Sequence, residues 1–325
     1  MRSAHPSAGV RRITLEAAGH TLSALLGEPE NTPPRALVVA LHGAGMSSGY
    51  FDGGAHPDAS LCALGAGLGF QVLALDRPGY GDSASGLPEG LDLTGQARVV
   101  RAALDTFRAV HDTGRGTLLL AHSFGGKLAL TLAADAPPAG LLGVDVSGCG
   151  HRYAPRSAEA LRGPDRARWK YNWGRLGLYP PATFRSSAGL VSPVPARELR
   201  DAASWPAVFD ALAPRVRVPV RFTFAEHELW WRHDDVSLDD LRTRFSAAPR
   251  VVVDRQPDAG HNISLGRTAR SYHLRALAFF EECLPEGAFF EERPPEGAGP
   301  ESGGPERGGL RPTGAAPVVP GRDGP

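Results

Sequence analysis

Ala121-His122-Ser123-Phe124-Gly125-Gly126 is the stretch whose reading decides the fold. An apolar run, Thr117-Leu118-Leu119-Leu120, precedes it, and Lys127-Leu128-Ala129-Leu130-Thr131-Leu132-Ala133-Ala134 follows. The first reads as a buried strand and the second as a helix. A serine with small neighbours between two such elements marks a tight turn that pushes one hydroxyl outward. Such a turn holds Ser123 in a strained backbone conformation, which needs small residues on both flanks. The helix that follows directs its first unpaired N–H groups and its positive dipole end to the same place.

Three further segments extend the pattern. Leu37-Val38-Val39-Ala40-Leu41 is apolar and breaks into His42-Gly43-Ala44-Gly45. Val72-Leu73-Ala74-Leu75 runs into Asp76-Arg77-Pro78-Gly79-Tyr80-Gly81-Asp82-Ser83. Asp258-Ala259-Gly260-His261 lies near the end of the patterned region. Arg12–Ala17 and Thr21–Leu26 read as an antiparallel hairpin, with apolar strands at 36–41, 70–75, 117–121, 141–146, 219–224 and 250–253. Helical segments fall near 59–68, 92–111 and 124–135. This alternation predicts an α/β fold with a doubly wound, mostly parallel eight-stranded sheet. Sites in such sheets lie at the carboxyl ends of strands, where His42, Asp76, Ser123 and Glu228 all fall.

In this order, over residues 12–283, the motifs resemble those of the α/β-hydrolase superfamily. Ser123 stands at the nucleophile elbow, with Ala121 where the family commonly has Gly. The resemblance implies a serine hydrolase of the esterase or thioesterase kind, working through an acyl-enzyme. A serine hydroxyl needs a base to take its proton, and His261, in the Gly-His loop after the last strand, is the implied base. The family's acid closes a turn after the seventh strand, which places Glu228 in that role. Glu226 and Asp145 stay open as alternatives, whereas Asp258 is too close in sequence to His261. The N–H groups of Phe124 and Ala44 are the implied oxyanion donors. No metal or organic cofactor is required by this chemistry. Lys127, one helical turn beyond the nucleophile, reads as solvated or ion-paired, and Asp76 and Arg77 as braces for neighbouring loops.

Between about 148 and 213 the strand pattern stops, in the position of the helical cap that many relatives insert. Residues 1–147 and 214–285 would then form the hydrolase core. All five tryptophans, Trp169, Trp173, Trp205, Trp230 and Trp231, fall in this insertion or just beyond the acid loop. With Met46 they are candidates for a substrate pocket suited to a bulky or aromatic acyl group. They could equally form the cap's own small core.

The ten residues from Phe279 are nearly repeated from Phe289, and close to half of residues 291–325 are Gly or Pro. The segment 286–325 therefore reads as a disordered tail with no part in catalysis.

Acidic and basic side chains balance at 35 each, which gives no reason to expect a nucleic-acid partner. The three scattered cysteines suit a reducing compartment. No signal-peptide or membrane-spanning pattern is seen, so the expected setting is cytoplasmic, with a small-molecule partner. Serine-elbow relatives also include lyases, perhydrolases or haloperoxidases and biosynthetic cyclases, and a silent binding protein is the remaining alternative. Ser123 argues against epoxide hydrolases and haloalkane dehalogenases, which carry aspartate at the elbow.

Overall fold

The computed structural model describes residues 6–53, 57–186 and 190–285. The tail expected over 286–325 lies outside the described residues. Strands β1 (Val10–Ala17) and β2 (His20–Gly27) form an antiparallel hairpin. Its turn residues Ala18 and Gly19 both have positive φ, 51° and 82°. That mirror-image turn matches the twist of the strands it joins.

The remaining strands are β3 (Leu37–Leu41), β4 (Gln71–Leu75), β5 (Thr117–His122), β6 (Leu141–Ser147), β7 (Val220–Ala225) and β8 (Val251–Gln256). The sheet order is β1-β2-β4-β3-β5-β6-β7-β8. Only the pairs involving β2 are antiparallel. The fold is thus the mostly parallel eight-stranded arrangement that the strand–helix alternation predicts.

Parallel strands buried on both faces read as unbroken apolar runs, and β3, β4 and β5 are buried at every position. Successive side chains still alternate between faces. Leu37, Val39 and Leu41 join one core, with helices α2 (Leu93–Val110) and α3 (Phe124–Asp135). Val38 and Ala40 join the other, with α1 (Leu61–Gly67) and α9 (Ala269–Cys283). Ser60 and Asp92 cap α1 and α2 by accepting from Ala63 N at 3.1 Å and Gly95 N at 2.7 Å.

Between β6 and β7 the chain is helical: α4 (Ser157–Arg162), α5 (Asp165–Trp173), α6 (Pro181–Ser186) and α7 (Ala196–Leu212). Trp205 and Phe209 of α7 enter the core that contains α3. Helix α8 (Asp235–Arg244) follows β7. Among the described residues, no helix is long and apolar enough to cross a membrane.

Candidate active site

Strand β5 ends at His122, and Ser123 turns the chain into α3 with φ 52° and ψ −115°. This is a region that side-chain-bearing residues rarely adopt. The elbow's small residues have a steric cause. A Cβ on Gly125 would sit 2.1 Å from the Leu41 carbonyl oxygen, and one on Gly126 would sit 2.7 Å from Val146 Cγ1. Ala121, the departure from the family's Gly, lies fully buried between its register partners Leu41 and Val146.

Ser123, His261 and Glu228, from three separate loops, meet at the carboxyl edge of the sheet. Ser123 Oγ is 3.2 Å from His261 Nε2, and His261 Nδ1 is 2.9 Å from Glu228 Oε2 and 3.1 Å from Oε1. With the Nδ1 proton directed at Glu228, Nε2 is the nitrogen left to accept the serine proton. Glu228 Oε1 also accepts from the N–H groups of Leu229 and Trp230, at 2.9 and 2.8 Å. Burial acts to raise the pKa of Glu228. The histidine and the amide donors outweigh it and hold the carboxyl below its ordinary range.

The alternative acids are engaged elsewhere. Glu226 Oε2 accepts from Asp258 N at 2.8 Å on the exposed side of the turn. Asp145, fully buried in β6, pairs with Arg221 and accepts from the Tyr272 hydroxyl.

Two more histidines flank the site. His42 Nε2 accepts from Arg77 N at 3.1 Å, so its Nδ1 carries the proton and donates to the Gly43 carbonyl at 2.8 Å. Burial, then the nearby Arg77 cation, push its pKa well down. His42 therefore holds its loop as a neutral ring. His122, which sequence reasoning passed over, stacks on Tyr50 with 4.7 Å between ring centroids and lies 4.9 Å from His261. Burial and its neighbour His261 keep it neutral as well.

Arg77 ties the loop after β4 to its surroundings. Its Nε donates to the His42 carbonyl at 2.7 Å, and its Nη1 donates to Gln96 Oε1 at 2.8 Å and Glu198 Oε1 at 2.6 Å. Tyr80 donates its hydroxyl proton to Glu198 Oε2 at 3.0 Å and accepts from Gly45 N at 3.0 Å. Arg77 is the brace the sequence suggested, but Glu198 on α7 is a partner that only the fold reveals.

A cavity of about 90 Å³ opens between Ser123 and the helical insertion. Ala44, Phe124 and His261 line it beside the serine. Phe124 is the first residue of α3, where an N–H has no intrahelical acceptor. Of the residues singled out for a pocket, Met46, Trp230 and Trp231 line it. The indole N–H groups of Trp230 and Trp231 go to Asn172 Oδ1 at 2.9 Å and the Gly148 carbonyl at 2.7 Å. The other three tryptophans are not on its wall. Trp173 packs on Tyr179 and Phe184, Trp205 is fully buried with its N–H on the Gly150 carbonyl, and Trp169 is about half exposed at 48%.

Lys127 differs from its sequence reading. It is 4% exposed, lines the cavity, and donates to the Tyr153 hydroxyl at 3.1 Å. Helix α3 turns it inward over the core rather than out to solvent.

The alpha/beta hydrolase family matches residues 38–278. The chain belongs to this family. A search of curated proteins gives no match. Among solved structures, this alpha/beta hydrolase is similar to a thermostable carboxyl esterase from Bacillus coagulans. The TM-score is 0.65 at 14% identity, over 86% of this chain and all of that one. It is also similar to the enol-lactonase from Burkholderia xenovorans, with TM-score 0.59 and 16% identity over 83% of this chain and 100% of the other. A third similar structure is an AqdC variant that cleaves the ring of the Pseudomonas quinolone signal, with TM-score 0.63 and 15% identity over 84% and 100% of the two chains. At these identities the likeness speaks for the fold, and relatives on it include esterases, lactonases and ring-cleaving enzymes.

Proposed function

We propose that the protein is a serine hydrolase that cleaves a carboxylic ester or thioester. The observation carrying this reading is the unbroken hydrogen-bond path Ser123–His261–Glu228 opening on a cavity. His261 takes the proton of Ser123 as the oxygen attacks the acyl carbon, and returns it to the leaving alcohol or thiol. Water then attacks the acyl-enzyme by the same route. Glu228 orients the imidazole and offsets the charge it gains. The N–H groups of Phe124 and Ala44 are suited to hold the oxyanion, each contributing roughly 2.7–4 kcal/mol to transition-state stabilisation.

In this reading residues 148–213 act as a cap over a core formed by 1–147 and 214–285. Cavity size bears on the acyl group. An apolar cavity of ~150 Å³ holds benzene, and this one measures about 90 Å³. A short acyl chain fits better than the bulky aromatic group that the tryptophans alone suggested.

Labelling with a fluorophosphonate probe tests the proposal. Folded wild type should label at position 123, and heat-denatured protein and Ser123→Ala should not. Absence of labelling on the folded wild type would leave a binding protein with a relict triad as the better reading. Labelling without ester or thioester turnover would move the reaction to the non-hydrolytic branch of the fold.

A further inference from the structure

Lys127 is a poor choice of residue for a wall that only packs. Its neighbours on α3 are buried and, Thr131 apart, apolar or glycine, and its own site is 4% exposed. Taking an ammonium out of water costs several kcal/mol unless an anion compensates it. Among the described residues no carboxylate lies within ion-pair distance of Lys127. Glu198 shares the cavity wall, but both its oxygens are committed to Arg77, Tyr80 and Gln96.

What surrounds the ammonium instead is a box of rings. Nζ lies 5.3 Å from the ring centre of Phe124, 5.5 Å from Trp205, 5.6 Å from Trp231 and 5.7 Å from Tyr153. These distances approach the ~6 Å limit of cation–π attraction, so each ring offsets only part of the desolvation. Tyr153 gives its proton to the Ala202 carbonyl and accepts one N–H from Lys127. Among the described residues the other two ammonium donors have no acceptor, so they remain for a ligand.

Lys127 is the more deeply buried of the two residues on this wall, at 4% exposure, whereas Ser123 is only partly buried. The leaving group must depart before water can reach the acyl-enzyme. The group held against the more deeply buried residue is therefore the one that stays attached, the acyl chain. We propose that Lys127 anchors a carboxylate on the acyl chain, so that the preferred substrates are half-esters or half-thioesters of short dicarboxylic acids. This rests on the serine-hydrolase reading above.

Monomethyl succinate and methyl butanoate present acyl chains of equal length, one ending in a carboxylate and the other in a methyl group. At pH 7 the wild type should favour the succinate in kcat/KM by about 30-fold or more, the scale of a charged buried hydrogen bond. In Lys127→Met that ratio should fall to about one or below. Cleavage of both esters by the wild type at a ratio near one would overturn the assignment and leave the nucleophile intact. Binding gives a separate readout that needs no turnover. Succinate at millimolar concentration should raise the Tm of Ser123→Ala and leave that of Ser123→Ala with Lys127→Met unmoved. Absence of any succinate-induced shift in Ser123→Ala would also overturn the assignment. Failure of fluorophosphonate to label the wild type would remove the hydrolase reading and this proposal with it.

Discussion

Arg77 and Glu198 form a bidentate pair with no exposure of either side chain, at 2.6 Å for Nη1–Oε1 and 3.2 Å for Nη2–Oε2. They lie 121 residues apart and join the loop after β4 to α7. Through the His42 carbonyl and Tyr80, the same pair steadies the loop that carries Ala44. Removing one partner strands a buried charge, which costs on the order of 3–5 kcal/mol. Glu198→Ala should therefore lower Tm by roughly 10 °C. Replacing both partners, Arg77→Met with Glu198→Leu, should recover much of that loss without recovering activity. Calorimetry of the three variants checks this, and a double variant less stable than Glu198→Ala would contradict it.

The acid is settled by comparing two glutamates two residues apart. Glu228→Gln removes the charge facing His261 Nδ1 and should lower kcat by about 10³–10⁴-fold. Glu226→Gln touches only the Asp258 turn and should stay within a few-fold of wild type. Ser123→Ala should lose on the order of 10⁶-fold. Similar small losses in both glutamine variants would remove Glu228 from the mechanism.

Burial lowers the pKa of Lys127 from 10.5 to about 8, against weaker opposing pulls from Cys149, Glu198 and Asp201 and a reinforcing push from Arg77. Between about pH 8 and 10.5 the unfolded chain holds more protons on this amine than the folded one does. The folded state therefore gains stability as pH rises through that window, by an amount on the order of 3 kcal/mol. Chemical denaturation from pH 7 to 10.5 should show wild type gaining on Lys127→Met. Parallel curves would show that the amine titrates normally.

Much of this is legible in the sequence. Strands β3, β4 and β5 announce themselves because a strand buried on both faces has no polar register to confuse the reading. Ser123 and His261 follow from motif order, which leaves Glu226 and Asp145 open beside Glu228 as the acid; the structure brings Ser123, His261 and Glu228 within hydrogen-bond reach. The burial of Lys127 is not legible in the sequence, because a helical turn count gives a residue's direction only relative to its own helix. Whether that direction meets water or a wall depends on α7, Tyr153 and Trp231, which are remote in sequence. The tryptophans failed similarly, since clustering in sequence places them in one region without saying which face of it they turn to the cavity. Glu198 carried no local signal, for nothing around it resembles a motif.

Ser123 keeps a positive φ on a residue that bears a side chain, and departures of this kind cost about 1–3 kcal/mol each. Glycine would relieve the twist without disturbing a neighbour, so the Ser123→Gly protein should melt higher than the natural one. Laboratory evolution for heat resistance alone would drift toward that exchange and, with the proposed nucleophile gone, lose the proposed turnover. Any programme to harden this scaffold should hold position 123 fixed and seek its gains elsewhere.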